Sequence, residues 1–238
     1  MYDGESNVEK QLSQIELMVS QRMDMILLNA VSFTACERVL KTARDNNIPV
    51  VTVISEVSNQ EDCVSFVGPD QYDVGTMQAQ ALARRMSSGG NIFVLEDTPA
   101  TAIQIARSRA YRDVLATYPD INMIDIQCAH GKEDEAYIII RNQLRQEGCD
   151  ITGVLAQNDS MALGAARAAR DNGGQGSLLI VGADGTNTAI DAVETGALLA
   201  TVSTDAAPLA ASVTECVEGI LLGNPVDTAY ITPSIVIS

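Results

Sequence analysis

The stretch ITGVLAQNDSMALGAARAARDNGGQGSLLIVGADGT, residues 151–186, decides the fold. It begins with a short apolar run ending at Ala156, which predicts a β-strand. A helix rich in Ala, Leu and Met follows, and either Asn158 or Asp159 can cap it. A second β-rich run then ends at Asp184. A strand, a helix and a strand of these lengths predict a right-handed βαβ unit with parallel strands.

The two predicted strands direct polar residues to one edge of the sheet. Gly173 and Gly174 are predicted to end the intervening helix. Asn158 and Asp184 therefore both follow the carboxyl ends of parallel strands, where open α/β sheets bind ligands. Two short polar side chains on one rim are suited to binding a polyhydroxylated small molecule.

The rest of the chain continues this alternation of strands and helices, which favours a doubly wound α/β protein. Proline, glycine and polar residues separate the elements, and apolar runs such as PVVTVI are typical of parallel strands covered on both faces. The predicted strands are 25–31, 49–54, 65–68, 91–97, 121–127, 198–204 and one within 230–237, and the predicted helices are 11–21, 33–46 capped by Ser32, 70–86, 102–117, 133–146, 187–194 and 206–222.

The spacing of the βα units permits a division into two lobes. The short segment Ser65–Asp70 lies between two groups of βα units. Thr204–Asp205 and the final strand offer two more crossings. Three crossings would produce a hinged protein with a central cleft.

Composition excludes several functional classes. The chain has 238 residues, of which 46% are hydrophobic and 19% charged, as in ordinary globular α/β proteins. Its 15 basic and 31 acidic residues give a formal charge of −16. Because nucleic-acid surfaces need clustered Lys and Arg, a nucleic-acid partner is not expected. The same charge argues against binding to anionic membranes.

The residues needed for common catalytic or metal chemistry are missing from the pattern. The five cysteines are scattered, and His130 is the one histidine, so neither a zinc site nor a histidine-dependent triad is predicted. The glycine-rich segments lack the GxGxxG spacing of a dinucleotide site. We therefore expect no cofactor, no metal and no enzymatic activity. The first residues show no signal-peptide pattern, and no apolar run reaches the length of a membrane span.

An ordered set of segments resembles a known family. The segments QLSQIELMVSQRMDMILLNAV, IPVVTV, SFVGPD, GNIFVLEDTPAT, ARSRAYRDVLATYPDI, VLAQNDSMALGAARA, VGADGT and ETGALLATVST cover nearly the whole chain in collinear order. Together they resemble the ribose-binding-protein-like periplasmic sugar-binding proteins of ABC transporters. The resemblance implies two Rossmann-like lobes with parallel sheets, joined by a three-strand hinge, that close on one sugar in the cleft between them.

The resemblance also implies the ligand-binding residues. Asn29 of LLNAV matches a family position that holds sugar hydroxyls, and Arg107 of IQIARSRAY matches the ligand arginine. Asn158 of AQND and Asp184 of GADGT match two further ligand positions, and Thr204 falls where many members carry a ligand glutamine. Other interpretations stay open: Asn158 as a helix cap, Asp184 as a turn residue and Arg107 as a solvated helix residue.

Departures from the family pattern point away from ribose. Ile54, Ser55 and Glu56 stand where many members have an Asp-Arg pair, and Gly131 stands near a position that commonly stacks an aromatic ring on the sugar. Thr204 replaces an amide with a shorter hydroxyl. We expect a different sugar or a polyol. Further rim candidates, for which surface or loop roles also stay open, are Asp97, His130, Ser55, Glu56 and Asp205.

The resemblance sets expectations for the domains. Residues 1–68 with 228–238 are expected to form the first lobe, residues 69–204 the second, and residues 205–227 a helix that returns to the first. The family's opening strand–helix–strand has no counterpart before residue 1, so we expect an N-terminally truncated copy whose first lobe is incomplete.

The expected function is capture of a monosaccharide or polyol for a membrane ABC permease, in a periplasmic or extracytoplasmic location. A monomer is expected, with dimerisation through exposed strand edges as the alternative. Two other functions stay open. The effector-sensing domain of a lac-repressor-like regulator shares the fold but needs an upstream helix-turn-helix. The sensor portion of a chemotaxis or kinase receptor needs a membrane segment.

Overall fold

The computed structural model describes residues 1–173 and 178–238 of the protein, which fall into two compact units. The chain passes between the units after Asp70, after Asp205 and after Pro233. In addition, the three residues Ala100–Ala102 group with unit 1, although the chain before and after them belongs to unit 2. Unit 1 contains Met1–Asp70, Ala100–Ala102 and Ala206–Pro233, and unit 2 contains Gln71–Pro99, Ile103–Asp205 and Ser234–Ser238.

Unit 1 is built on a parallel sheet of four strands in the order β1-β2-β3-β9. Its first helix begins after Asn7, whose side chain accepts a hydrogen bond from the backbone N–H of Lys10. The elements are α1 (Val8–Ser20), β1 (Ile26–Leu28), α2 (Glu37–Asp45), β2 (Val50–Val53), a single 3-10 turn at Gln60–Asp62, β3 (Ser65–Gly68), α8 (Ala206–Leu222) and β9 (Ala229–Ile231).

Strand β1 is shorter and more exposed than the sequence predicts. The expected buried strand 25–31 contracts to Ile26–Leu28, in which Ile26 and Leu28 are buried but Leu27 is 50% exposed. Within the described residues β1 pairs with β2 alone and forms an edge of the sheet. An edge strand has a neighbouring strand on one side only, so its side chains have fewer neighbours to cover them. This accounts for the exposure of Leu27.

Helix α2 begins later than predicted. The hydroxyl of Ser32 accepts a hydrogen bond from the Ala35 N–H at 3.3 Å, but this bond belongs to the turn before the helix. The helix itself begins at Glu37, after Cys36, whose side chain makes no capping bond. The short polar residue at 32 is therefore a turn residue.

Unit 2 contains a six-stranded sheet in the order β10-β8-β7-β6-β4-β5. Neighbouring strands are parallel, except that β10 is antiparallel to β8. The elements are α3 (Gln71–Arg85), β4 (Gly90–Glu96), α4 (Ala102–Leu115), β5 (Ile121–Cys128), α5 (Glu133–Leu144), β6 (Ile151–Ala156), α6 (Asp159–Asp171), β7 (Leu179–Asp184), α7 (Asn187–Glu194), β8 (Ala200–Ser203) and β10 (Ile235–Ile237).

The central strands of this sheet are buried on both faces. In β4, Phe93 and Leu95 pack with residues of α5, α6 and α7. The alternate residues Ile92 and Val94 pack with residues of α3 and α4. Because successive side chains of a strand point to opposite faces, two helical layers cover the sheet. This arrangement confirms the predicted doubly wound α/β architecture.

The segment predicted as one final strand forms two. Residues of β9 pair with β3 in unit 1, whereas residues of β10 pair with β8 in unit 2. Pro233 lies between them and has no N–H to donate to a sheet ladder, so the strand is interrupted there. The expected placement of residues 235–238 in the first lobe is therefore wrong, and the other expected lobe boundaries stay predictions.

Helix α6 ends close to the predicted position. Asn172 follows the last helical residue, and Gly173 adopts a left-handed conformation with φ of +80° while its N–H bonds the carbonyl of Arg170. The predicted role of Gly174 concerns a residue outside the described ranges. Among the helices of the described residues, none combines the length and apolar character required to span a bilayer.

Candidate functional site

Three of the five predicted site residues lie at one edge of the unit 2 sheet. Strands β6 and β7 are neighbours and end at Ala156 and Asp184, and β7 is also paired with β8. Asp184 lies opposite Ser203 in that register, and the N–H of Thr204 donates to the Asp184 carbonyl at 3.4 Å. The βαβ topology therefore brings Asn158, Asp184 and Thr204 to the same edge.

Asn158 is the cap of helix α6. Its Oδ1 accepts a hydrogen bond from the Met161 N–H at 2.9 Å, and its Nδ2 donates to the Gly131 carbonyl at 3.2 Å. The interpretation as a helix cap is thus confirmed. An amide group has two N–H donors and two acceptor lone pairs. Among residues 1–173 and 178–238 the cap uses one of each, so one donor and one acceptor of the amide remain.

Asp184 has an unusual backbone conformation. Its φ is +130°, and Gly185 follows at +72°. A residue with a Cβ rarely adopts such a conformation, and the cost is about 1–3 kcal/mol. Strain of this kind persists where surrounding structure holds it, and it is concentrated at functional sites.

The carboxyl group of Asp184 also holds its proton more tightly than usual. Although the residue as a whole is exposed, packing around the carboxyl group removes hydration, and the nearby carboxylates of Asp159 and Asp97 repel its charge. The Arg107 guanidinium and the Asp159 backbone N–H act in the opposite direction. The balance raises the pKa of Asp184 to about 6.

Asp159 is a buried carboxylate that sequence reasoning considered only as an alternative cap. Its Oδ1 accepts from the Thr201 hydroxyl at 2.6 Å, and its Oδ2 accepts from the Thr186 N–H at 2.8 Å and the Thr186 hydroxyl at 3.0 Å. A Cβ at Gly182 would lie 2.5 Å from Oδ1, so only glycine fits there. Asp159 thereby ties the turn that follows β7 to strand β8.

Arg107 lies inside unit 2 and is only 3% exposed. Its Nε and Nη2 donate to Gln71 Oε1 at 3.1 and 2.9 Å, and its Nη1 donates to the Gln157 carbonyl. The interpretation of Arg107 as a solvated helix residue is therefore wrong. Its influence on the pKa of Asp184 shows that the guanidinium and this carboxyl group lie in the same electrostatic environment.

The Gln157 side chain links several segments of the site through hydrogen bonds, and the sequence analysis did not identify it. The side chain is fully buried, accepts from the Asp97 N–H at 2.9 Å, and donates to the Ser108 hydroxyl at 2.8 Å and the Gln104 carbonyl at 3.2 Å. A buried amide with all these partners is a rigid support. Its position directly before Asn158 was the available signal.

The remaining candidates are less closely tied to this edge. Asn29 lies in unit 1, after β1, where its side chain is exposed and its carbonyl accepts from Gln11 Nε2 at 2.9 Å. His130 is exposed and bonds Glu135 at 2.7 Å, with φ of +49°. Roles in ligand binding stay predictions for Asn29, Arg107, Asn158, Asp184, Thr204, Asp97, His130, Ser55, Glu56 and Asp205.

The carboxyl edge of the unit 2 sheet offers both donors and acceptors of hydrogen bonds. Asp184 supplies acceptors, Arg107 supplies donors, and Asn158 and Thr204 supply both. Neighbouring hydroxyl groups of a sugar or polyol need both kinds of partner. Two units with parallel sheets and such polar strand ends define the periplasmic-binding-protein class of fold.

Comparison with known protein families shows which family the chain belongs to. The sequence model described as a periplasmic binding protein domain matches residues 1–225, and the chain belongs to this family. A solved ABC transporter solute-binding protein from Bacillus halodurans, determined with bound myo-inositol, superposes with a TM-score of 0.94. The match covers 99% of this chain and 82% of that one at 24% sequence identity, which confirms the fold.

Two curated relatives are binding proteins for small polyhydroxylated molecules. The xylitol-binding protein of Mycolicibacterium smegmatis is 30% identical over 97% of this chain. The ribose import binding protein of Escherichia coli is 27% identical over 96% of it. The chain spans 66% and 76%, respectively, of the lengths of these two relatives. These relatives are sugar- and polyol-binding proteins.

Proposed function

We propose that this protein binds a neutral monosaccharide or polyol outside the cytoplasm and delivers it to a membrane ABC permease. The observation that carries the proposal is the Asp184–Arg107–Asn158 set on unit 2, a strained carboxylate, a buried guanidinium and a capping amide. The residue before Asn158 accepts a bond from Arg107 through its carbonyl, and the residue after it donates its N–H to the Asp184 carboxylate. Asn29 and Thr204 complete the proposed ligand-binding residues. The protein acts as a monomer and catalyses no reaction.

The chemistry of the set supports a hydroxylated ligand. Carboxylate and guanidinium groups form the stronger, charge-assisted hydrogen bonds, and both can engage two neighbouring hydroxyls. Opposite charges within the set offset each other, so it has no need of a charged ligand. A buried polar group left without its partner costs about 1–3 kcal/mol, and this cost selects the ligand whose hydroxyls match the set.

The relatives support polyols as well as ring sugars. The 30% identical mycobacterial relative is a xylitol-binding protein, and the 27% identical relative is a ribose import binding protein. Thr204 offers a single hydroxyl, so it leaves more space than an amide would. We therefore place xylitol and other linear polyols first among the ligands to be tested.

A thermal-shift screen of the purified chain tests the proposal. The screen contains xylitol, ribose, allose and myo-inositol, with gluconate as a charged control. A ligand at about 1,000 times its Kd stabilises the folded protein by roughly 4 kcal/mol, which raises the melting temperature clearly. We expect one neutral ligand to raise it and gluconate not to. A cooperative melt that no neutral ligand shifts would contradict the proposal.

A further inference from the structure

We infer that Gln71 is a positioning residue, which holds the Arg107 guanidinium in the orientation that receives the ligand. This inference rests on the proposed function and adds a residue outside the set of proposed ligand contacts. Gln71 is the first residue of helix α3 and the first residue of unit 2 after the crossing at Asp70.

The contact between Gln71 and Arg107 fixes one edge of the guanidinium. Gln71 is 8% exposed, and its Oε1 accepts from both Nε and Nη2 of Arg107, at 3.1 and 2.9 Å. One oxygen that accepts two N–H groups of the same planar cation determines the rotation of that plane. The Gln157 carbonyl, which accepts from Nη1, supports the opposite side.

The packing of α3 against α4 places Gln71 at this position. One turn after Gln71, a Cβ at Gly75 would lie 2.8 Å from Arg107 Cα and 2.9 Å from Ala110 Cβ. Residues four apart lie on the same face of a helix. The close approach at Gly75 therefore brings the Gln71 side chain next to the Arg107 side chain.

The neutral character of these acceptors has a consequence for the ligand. Arginine has five N–H donors, and three of them are used in the bonds to Gln71 and Gln157. Within the part of the chain that the structure describes, one N–H on each terminal nitrogen is left. Because neither of these acceptors is a carboxylate, the positive charge is not neutralised by them, and the two remaining N–H groups form charge-assisted bonds to ligand hydroxyls.

Two matched variants test the role of Gln71. Gln71→Met keeps the length of the side chain but removes the acceptor, whereas Gln78→Met makes the same change two turns along α3. Gln78 is also buried, and its amide donates to the Ala156 carbonyl and accepts from the Tyr111 hydroxyl, with no bond to Arg107 among the described residues. We expect calorimetry to show at least a tenfold loss of affinity in Gln71→Met, for the ligand found by the screen, and less than a threefold loss in Gln78→Met.

An NMR measurement of the ligand-free protein provides the second readout. The Nε–H signal of Arg107 should exchange slowly with water in the native protein and rapidly in Gln71→Met. In Gln71→Glu the carboxylate still accepts from Nε and Nη2, so slow exchange should be retained even if Gln71→Met folds poorly.

The outcomes separate this inference from the proposed function. Unchanged affinity in Gln71→Met, or an equal loss in Gln78→Met, would overturn the positioning role. If the native protein binds no sugar or polyol, the proposed function fails and the NMR signal decides. Slow exchange of the Arg107 Nε–H in Gln71→Met would then overturn the inference. Rapid exchange in Gln71→Met, together with slow exchange in Gln71→Glu, would support it.

Discussion

Replacing Asp184 with asparagine should weaken ligand binding about 100-fold at pH 7.5 while stabilising the ligand-free protein. The affinity falls because the variant loses charge-assisted hydrogen bonds, worth about 1.5–3 kcal/mol each, and 1.4 kcal/mol corresponds to a tenfold change. The stability rises because the raised pKa of Asp184, about 6 against an ordinary 3.8, shows that the folded protein disfavours this negative charge.

The pH dependence follows from the direction of that shift. Since the folded state binds the proton more tightly than the unfolded state, the carboxylate destabilises the fold increasingly as pH rises from about 4 through about 6. Below pH 4 the carboxyl group is protonated in both states, so the native protein and Asp184→Asn should converge in stability. Ligand affinity of the native protein should decline below pH 6, whereas that of the variant should stay flat.

Calorimetry between pH 5 and 8, combined with urea unfolding between pH 3 and 8, checks both effects. Asp191→Asn is the matched control, because Asp191 is an exposed carboxylate on helix α7. This control should change neither the affinity nor its pH profile. A ligand affinity of Asp184→Asn equal to that of the native protein would remove Asp184 from the binding site.

Replacing Gly164 with alanine should destabilise unit 2 by about 1–2 kcal/mol. Helix α6 packs against α5 at this glycine, where an added Cβ would collide with the Glu133 carbonyl oxygen. It would also lie 3.0 Å from the Tyr137 nitrogen and 3.1 Å from Ala136 Cβ. Backbone atoms cannot rotate away, so the helices must separate. Overpacking costs about 1–3 kcal/mol or more, and the roughly 1 kcal/mol gained from helix propensity offsets only part of it.

Gly219→Ala is the control for this prediction. Gly219 also lies within a helix, α8, but an added Cβ would approach only the Cγ1 methyl of Val226, at 2.6 Å. A terminal methyl group can move, and alanine favours the helix, so the stability should change by less than about 1 kcal/mol. Urea unfolding of both variants measures the difference. Equal stabilities would show that α5 and α6 do not rely on the close approach at Gly164.

The sequence predicted most of the architecture because its local signals agree with the final packing. The apolar run before Ala156, a cap at Asn158 or Asp159 and the stop at Gly173 each act within a few residues. The structure confirms the run and the stop, and it selects Asn158 as the cap. The wrong predictions concern features that depend on tertiary neighbours and not on the local sequence. The burial of β1 depends on how many neighbours it has, so its exposed Leu27 could not be inferred from an apolar run alone.

The candidate site was predictable at strand ends but not in its supporting contacts. Asp184 and Asn158 could be located because parallel strands share a carboxyl edge. The bond between Gln71 and Arg107 joins residues 36 positions apart and depends on the approach of α3 to α4 at Gly75. No periodicity signals such a contact. The strain at Asp184 is likewise set by the surrounding turns and has no local signature.

The pairing of β3 with β9 affects how the chain folds as it leaves the ribosome. The strand Ser65–Gly68 is complete early, but its partner Ala229–Ile231 is translated about 160 residues later. At roughly 5–20 residues per second, this interval is about 8 to 32 s. Strands β4 to β8 of unit 2 are all synthesised within that interval. The nascent chain therefore carries an open β3 edge throughout that interval, which is a period when a chaperone can protect it.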